Sequence, residues 1–205
     1  MPPVTLKFAD DNHLRFQAAV KRLGNKKKAE RAYRKVINKT GTNLRKGVLK
    51  TLPRQTGLKA RTIRKALGKP KRASASYKGN AASLSYVLTT KGGYIGLKHF
   101  GARELKRGGV VARPRSQRTL YGKAFMKGGR FPNRKTLNMA GAGAVFRPNL
   151  NAGKRWFRGF HSIKSDVRIP DEMVTGASKA VFKREEHMFA PAMEAEIRRL
   201  MAMKG

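Results

Sequence analysis

Ala29-Glu30-Arg31-Ala32-Tyr33-Arg34-Lys35-Val36-Ile37-Asn38-Lys39-Thr40-Gly41-Thr42-Asn43-Leu44-Arg45-Lys46-Gly47-Val48 is the stretch on which the fold turns. Ala29, Tyr33, Val36, Ile37, Leu44 and Val48 stand at offsets of 4, 7, 8, 15 and 19 from the first, which is one face of a 3.6-residue period. The opposite face is lysine and arginine. The spacing predicts a long amphipathic helix that begins near Asn25, is weakened by Gly41 and Gly47, and ends before Pro53. A shorter helix precedes it. Phe16, Ala19, Val20 and Leu23 recur at helical spacing, with Asp10, Asp11 or Asn12 as candidate N-caps and Gly24 as a stop.

Beyond this pair, Gln55-Thr56-Gly57 is read as opening a short helix through Leu58, Ile63 and Leu67, closed by Gly68 and Pro70. From Ala73 the period changes to two. Leu84, Tyr86 and Leu88 alternate with Ser83, Ser85, Val87 and Thr89, a half-buried strand. Lys91-Gly92-Gly93 and Arg107-Gly108-Gly109 read as turns, since glycine reaches positive φ at little cost. Further strands are expected at Tyr94–Leu97, Val110–Arg113 and Ala124–Met126. A long Gly/Asn/Arg-rich loop follows, over about 127–155, with a short strand at Ala144-Val145-Phe146.

The end of the chain has a different composition. Val174, Ala177, Val181, Met188, Met193, Ile197, Leu200 and Met201 outline an amphipathic helix that Pro191 is expected to break. Seven of the 11 acids lie between Asp166 and Glu196, so this helix is suited to pack on a basic body or on a neighbouring copy. The expected fold is α+β: long N-terminal helices on a small antiparallel sheet, a long Gly/Arg-rich loop and a C-terminal helix. Three regions, 1–53, 54–165 and 166–205, make one structural unit.

Charge bounds the function. Between Arg31 and Lys164 there are 34 lysines and arginines and one acid, Glu104; the whole chain carries +37 over 205 residues. Like charge at this density repels itself and points to a polyanionic partner. Nucleic-acid phosphate is the first candidate, because neutralising it releases condensed counterions. An anionic membrane would need lipidation, an insertion helix or a compact basic stripe, and none is evident. The N-terminus has no apolar signal-peptide core, and no run approaches the length of a membrane span. The expectation is a chain that is cytosolic when made, soluble and without membrane contact.

Catalysis has little behind it. His13, His99, His161 and His187 are scattered, and Glu104 alone cannot hold a catalytic cation. Glu185-Glu186 and Glu194-x-Glu196 read as helix-surface charge, and there is no P-loop. With no cysteine, thiolate metal sites and disulfides are excluded. No enzyme activity, cofactor or metal is expected. The candidate DNA-backbone contacts are Lys26, Lys27 and Lys28 on the long helix, then Arg103, Lys106, Arg107, Arg113, Arg115, Arg118, Lys123, Arg130, Arg134 and Lys135 in the acid-poor middle. Phe131, Trp156, Phe157 and Phe160 lie among arginines, placed either to stack bases or to dock the loop on the body.

The order of the central segments resembles the phage minor tail protein Z family, the lambda-type tail completion proteins. Gln55-Thr56-Gly57-Leu58-Lys59-Ala60-Arg61-Thr62-Ile63-Arg64-Lys65 is similar to that family's Q-T-G-L-K-x-x-x-I-R-K helix. Ile95-Gly96-Leu97-Lys98-His99-Phe100-Gly101-Ala102-Arg103 resembles its strand ending in F-x-A-R, followed by Gly109-Val110-Val111-Ala112 and Ala124-Phe125-Met126. The likeness covers about residues 20–150, and the chain departs from the pattern after residue 127. It implies a virion structural protein at the head–tail junction that completes the tail. It also implies a ring of six copies around the packaged-DNA channel, with neck and tail-tube or tail-terminator proteins as neighbours. The competing expectation is a basic nucleic-acid-binding protein of ribosomal or nucleoid type.

Overall fold

The computed structural model describes residues 4–9, 13–75, 83–130, 133–137, 139, 143–148 and 159–203. The fold is α+β, built around one helix. After strand β1 (Val4–Ala9) and helix α1 (His13–Leu23), helix α2 runs over Lys26–Thr56. Asn25 caps α2, its side-chain oxygen accepting from the main-chain N–H groups of Lys27 at 2.8 Å and Lys28 at 3.3 Å. The six apolar positions that define its periodic face are all buried, together with Ala32, Leu52 and Thr56. The candidate caps of α1, Asp10–Asn12, lie outside the described residues.

Pro53 does not end α2. The helix passes through it and stops at Gly57, whose φ of 76° is left-handed and whose N–H donates to the Pro53 carbonyl at 2.9 Å. Proline removes one main-chain bond, but Leu52 and Thr56 on either side are fully buried and hold the last turn in place. Gln55-Thr56-Gly57 therefore closes α2 rather than opening the next helix, α3 (Ala60–Ala66). The glycines inside α2 are sites of close approach. A Cβ on Gly41 would stand 2.2 Å from the ring of buried Tyr86, and one on Gly47 would stand 2.5 Å from Val181.

Strand β2 (Ser85–Thr90) buries Tyr86, Leu88 and Thr90 in alternation and pairs antiparallel with β1, from Val4↔Thr90 to Ala9↔Ser85. The sequence reading did not anticipate β1. Strands β3 (Arg103–Glu104), β4 (Val110–Ala112) and β5 (Thr119–Tyr121) form a three-stranded antiparallel sheet. Gly108 and Gly109 turn its first hairpin, at φ of 91° and 83°. Two further antiparallel pairs follow, β6 (Lys127–Gly128) with β7 (Lys135–Thr136) and β8 (Phe146–Pro148) with β9 (Phe160–Ser162).

The expected strand at Tyr94–Leu97 reduces to a single bridge, Gly96↔Lys164, before a 3₁₀ turn over Leu97–Phe100. Leu97 and Phe100 are both buried, and the three-residue repeat of that turn puts them on one side. Ala124–Met126 likewise contributes one bridge, Phe125↔Phe146, and the pairing expected over Ala144–Phe146 begins only at Phe146.

Helices α4 (Ile169–Met173) and α5 (Gly176–Ala202) close the molecule. The α5 helix runs antiparallel to α2: Thr51 meets Ser178 at one end, and Lys35 meets Glu196 at the other. It continues through Pro191. Burial of Phe189, Met193 and Ile197 stabilises this by about 1.5–3 kcal/mol per side chain, which exceeds the roughly 3 kcal/mol that an internal proline costs. The α2 helix links two cores. Its N-terminal half packs with α1, Tyr86 and the C-terminal part of α5, and its C-terminal half packs with α3, the small sheets and α4.

Candidate nucleic-acid interface

With one face of α2 against α1, α5 and β2, a row of its basic positions is left in solvent. Lys28, Arg31, Lys35, Lys39, Lys46, Lys50 and Arg54 are all exposed and follow one another at spacings of three, four or seven residues. They form one stripe. From Lys28 to Arg54 it extends about 39 Å at a rise of ~1.5 Å per residue. Lys35 is held by Glu196 at 2.9 Å. Among the described residues no ion pair involves the other six.

The acids are used elsewhere. Glu194 pairs with Arg22 at 2.9 Å, Glu196 with Arg199 at 2.7 Å, and Glu185 with Arg184 at 2.9 Å. Hydrogen bonding from Arg22 holds the Glu194 carboxyl below the usual carboxylate range. Arg199 first, and then Lys35, does the same for Glu196. Glu185, Glu194 and Glu196 are thus paired within α5 and with α1 and α2, and of the α2 stripe they compensate only Lys35.

The structure divides the thirteen candidate contacts. Lys26, Lys27 and Lys28 sit exposed in the first turn of α2, which has no acidic residue. Cations at that positive end of the helix dipole are unfavourable by about 0.3–1 kcal/mol each, a cost that a bound anion would relieve. They lie roughly 45 Å along α2 from its C-terminal end, too far to share a phosphate with the central group. Arg113, Arg115 and Arg118 are carried on a turn that docks against that C-terminal end. A Cβ on Gly57 would stand 2.7 Å from the Arg113 carbonyl oxygen and 2.8 Å from the Ser116 nitrogen. This places the turn beside Arg54, where the stripe finishes.

Arg115 is committed internally. It pairs with Asp166 and, at 2.9 Å, with Glu172, which is only 8% exposed; the hydrogen bond to Asp166 raises its already high pKa. Gln55 donates to the same Glu172 carboxylate at 2.7 Å and its side-chain oxygen accepts from Ser178. The Q-T-G sequence thus ties the end of α2 to α4, α5 and the 113–116 turn. Arg115 and Ser116 both have left-handed backbone, φ 49° and 61°, a strain that the Arg115 clamp holds. Arg134 is also taken. It pairs with Glu104, which accepts from the N–H groups of Met126 and Lys127 at 3.0 Å each. The lone acid of the basic stretch is therefore a structural clasp. Both arginines, candidate phosphate contacts in the sequence, thus have acidic partners within the chain.

Arg103, Lys106, Arg107, Arg113, Arg118, Lys123, Arg130 and Lys135 remain exposed. Arg103 and Lys106, with Lys127 and Arg134, line a cleft of about 540 Å³ between β3 and β6. Of the stripe, the candidate contacts read from the sequence include only Lys28; Arg31, Lys35, Lys39, Lys46, Lys50 and Arg54 were not among them. Their signal was available, since the basic positions of α2 repeat with the same period as its apolar ones.

Phe160 packs edge-to-face on Phe125 and Phe146, with ring centroids 5.6 and 5.4 Å away, so it docks on the body. Phe131, Trp156 and Phe157 lie outside the described residues, as does the side chain of His13. Among the described residues no cluster of three or more His, Cys, Asp or Glu could hold a metal ion, and no helix is long and apolar enough to cross a membrane. Comparison of the chain with protein-family models, with curated proteins and with solved structures found no match.

Proposed function

We propose that this protein holds duplex DNA by its phosphates, without catalysis and without reading sequence. The observation that carries the proposal is the α2 stripe: six exposed cations without ion-pair partners, in line over about 39 Å, while seven of the nine described carboxylates are held in internal pairs. Phosphate contacts of this kind position a duplex and carry no sequence information. Following the motif order that resembles the tail completion proteins, the setting is the neck or upper tail of a phage. There, copies ring the DNA channel and the chain becomes part of the virion.

Titration with a blunt duplex of arbitrary sequence at several salt concentrations tests the binding. A steep loss of affinity with salt, the same for unrelated sequences, supports it, and a flat response argues that the charge meets acidic protein instead. An image of the particle with this subunit located tests the setting. Density far from the bore, or co-purification with ribosomes rather than virions, would overturn it. DNA left intact by the protein with magnesium or manganese supports the absence of catalysis.

A further inference from the structure

A groove of about 390 Å³ lies between α3 and the segment Lys91–Gly96, and the α2 stripe does not account for it. Its walls include Thr62 and Lys65 of α3, Lys91, Gly92, Gly93, Tyr94 and His99. The loop is pinned at both ends. The Lys91 N–H donates to the Ala66 carbonyl at 3.4 Å, the Ile95 N–H donates to Val167 at 3.3 Å, and the Ile95 carbonyl accepts from Ser165 at 2.7 Å. Between these anchors Gly92 and Gly93 are exposed, and no atom lies within 4 Å of where a Cβ would stand on either. Tyr94 is presented there, 51% exposed, with the Arg168 guanidinium 5.2 Å from its ring centroid. Asp171 pairs with Arg168 and so positions that guanidinium.

We infer that this groove binds one unstacked nucleotide of a single-stranded nucleic acid, its base on the Tyr94 ring and its phosphates at Lys65 and Lys91. The lining decides the ligand class. It contains no carboxylate, so a cationic ligand has no partner, and its lysines favour an anion. The exposed aromatic face favours a planar group, and a ring backed by arginine is a sequence-tolerant platform for bases. A paired base in a duplex hides both faces in the stack, so only an unpaired one fits the ring. Partial burial and the neighbouring Lys98 charge lower the pKa of His99, which favours the neutral imidazole as a hydrogen-bonding group.

The inference shares with the proposed function only the premise that the partner is nucleic acid, and one experiment separates them. Fluorescence anisotropy is measured with labelled oligo-dT and with a blunt duplex, for wild type, Tyr94→Ala and Tyr94→Phe, with oligo-U in parallel to tell a DNA from an RNA strand. Tyr94→Ala is expected to weaken single-strand binding about 5- to 150-fold, the range of one base–aromatic stack, and to leave duplex affinity unchanged. Tyr94→Phe should keep wild-type affinity, and Lys65→Gln with Lys91→Gln should reduce the single-strand salt slope by about 0.7 each. Equal single-strand binding by wild type and Tyr94→Ala overturns the inference, as does an equal loss on duplex. Wild type that binds duplex but not oligo-dT removes the groove and spares the stripe. A Tyr94-dependent single-strand affinity without duplex binding does the reverse.

Discussion

Neutralising three lysines of the α2 stripe, Lys39→Gln, Lys46→Gln and Lys50→Gln together, should halve the salt sensitivity of duplex binding without unfolding the protein. All three are exposed and absent from the ion pairs of the described residues. Glutamine is as good a helix former as lysine, and removing the i,i+4 repulsion between 46 and 50 adds about 0.2–0.5 kcal/mol. The melting temperature should therefore hold or rise slightly. Six unpaired stripe cations on phosphate give a log–log slope of about −5.4, and three give about −2.7. Between about 50 and 200 mM salt the wild type should lose roughly 1,800-fold in affinity and the variant only about 40-fold. Equilibrium binding to one duplex at four salt concentrations, beside a thermal melt, reads both quantities. An unchanged slope in a folded triple variant would mean that α2 does not face phosphate, and the argument from the stripe would be wrong.

Other expectations concern the fold that presents the stripe. Gly41→Ala drives a methyl to 2.2 Å from the buried Tyr86 ring. Overpacking of about 1–3 kcal/mol set against the roughly 1 kcal/mol gained in helix propensity leaves a net loss of about 1 kcal/mol and a melting point lower by about 2–4 °C. Partial recovery in Gly41→Ala/Tyr86→Leu would locate the clash, whereas an unchanged melt would refute the close approach. Arg115→Leu leaves buried Glu172 short of its charge partner and should cost about 1–3 kcal/mol by thermal melt, while Arg113→Gln, at an exposed site, should cost almost nothing. Glu194 and Glu196 have folded pKa values below their unfolded ones, so their stabilisation is fully present above the unfolded value near ~4.3 and is lost as pH falls through the folded values. Melting temperatures followed from neutral pH into acid should fall below that point, less steeply in Glu196→Gln; a flat acid limb would refute the pairing.

Most helices were legible because periodicity is local. The buried face of α2, the alternation through Tyr86 and Leu88, and the glycine stop of α1 follow from side-chain spacing alone. Proline was over-read at 53 and at 191, because its cost is also local whereas the burial that outweighs it comes from elements far away in the chain. For the same reason β1 went unseen: a six-residue strand pairing about 80 residues away has no nearby partner to announce it. Gly41 and Gly47 looked like weak points of a helix until Tyr86 and Val181 were found against them.

Composition and periodicity by themselves determined that this is a helix-dominated α+β chain with a surplus of positive charge lying along one helix face. Charge is a sum over residues, and amphipathicity depends only on their spacing. Tertiary structure alone decided which of those charges are spent. Arg115 meets Asp166 across 51 positions and Arg134 meets Glu104 across 30, and the carboxylates of α5 reach α1 and α2 only because the two long helices pack antiparallel. A guanidinium is neutralised by whatever stands within a few ångströms of it, and that is a property of packing, which the order of residues does not display.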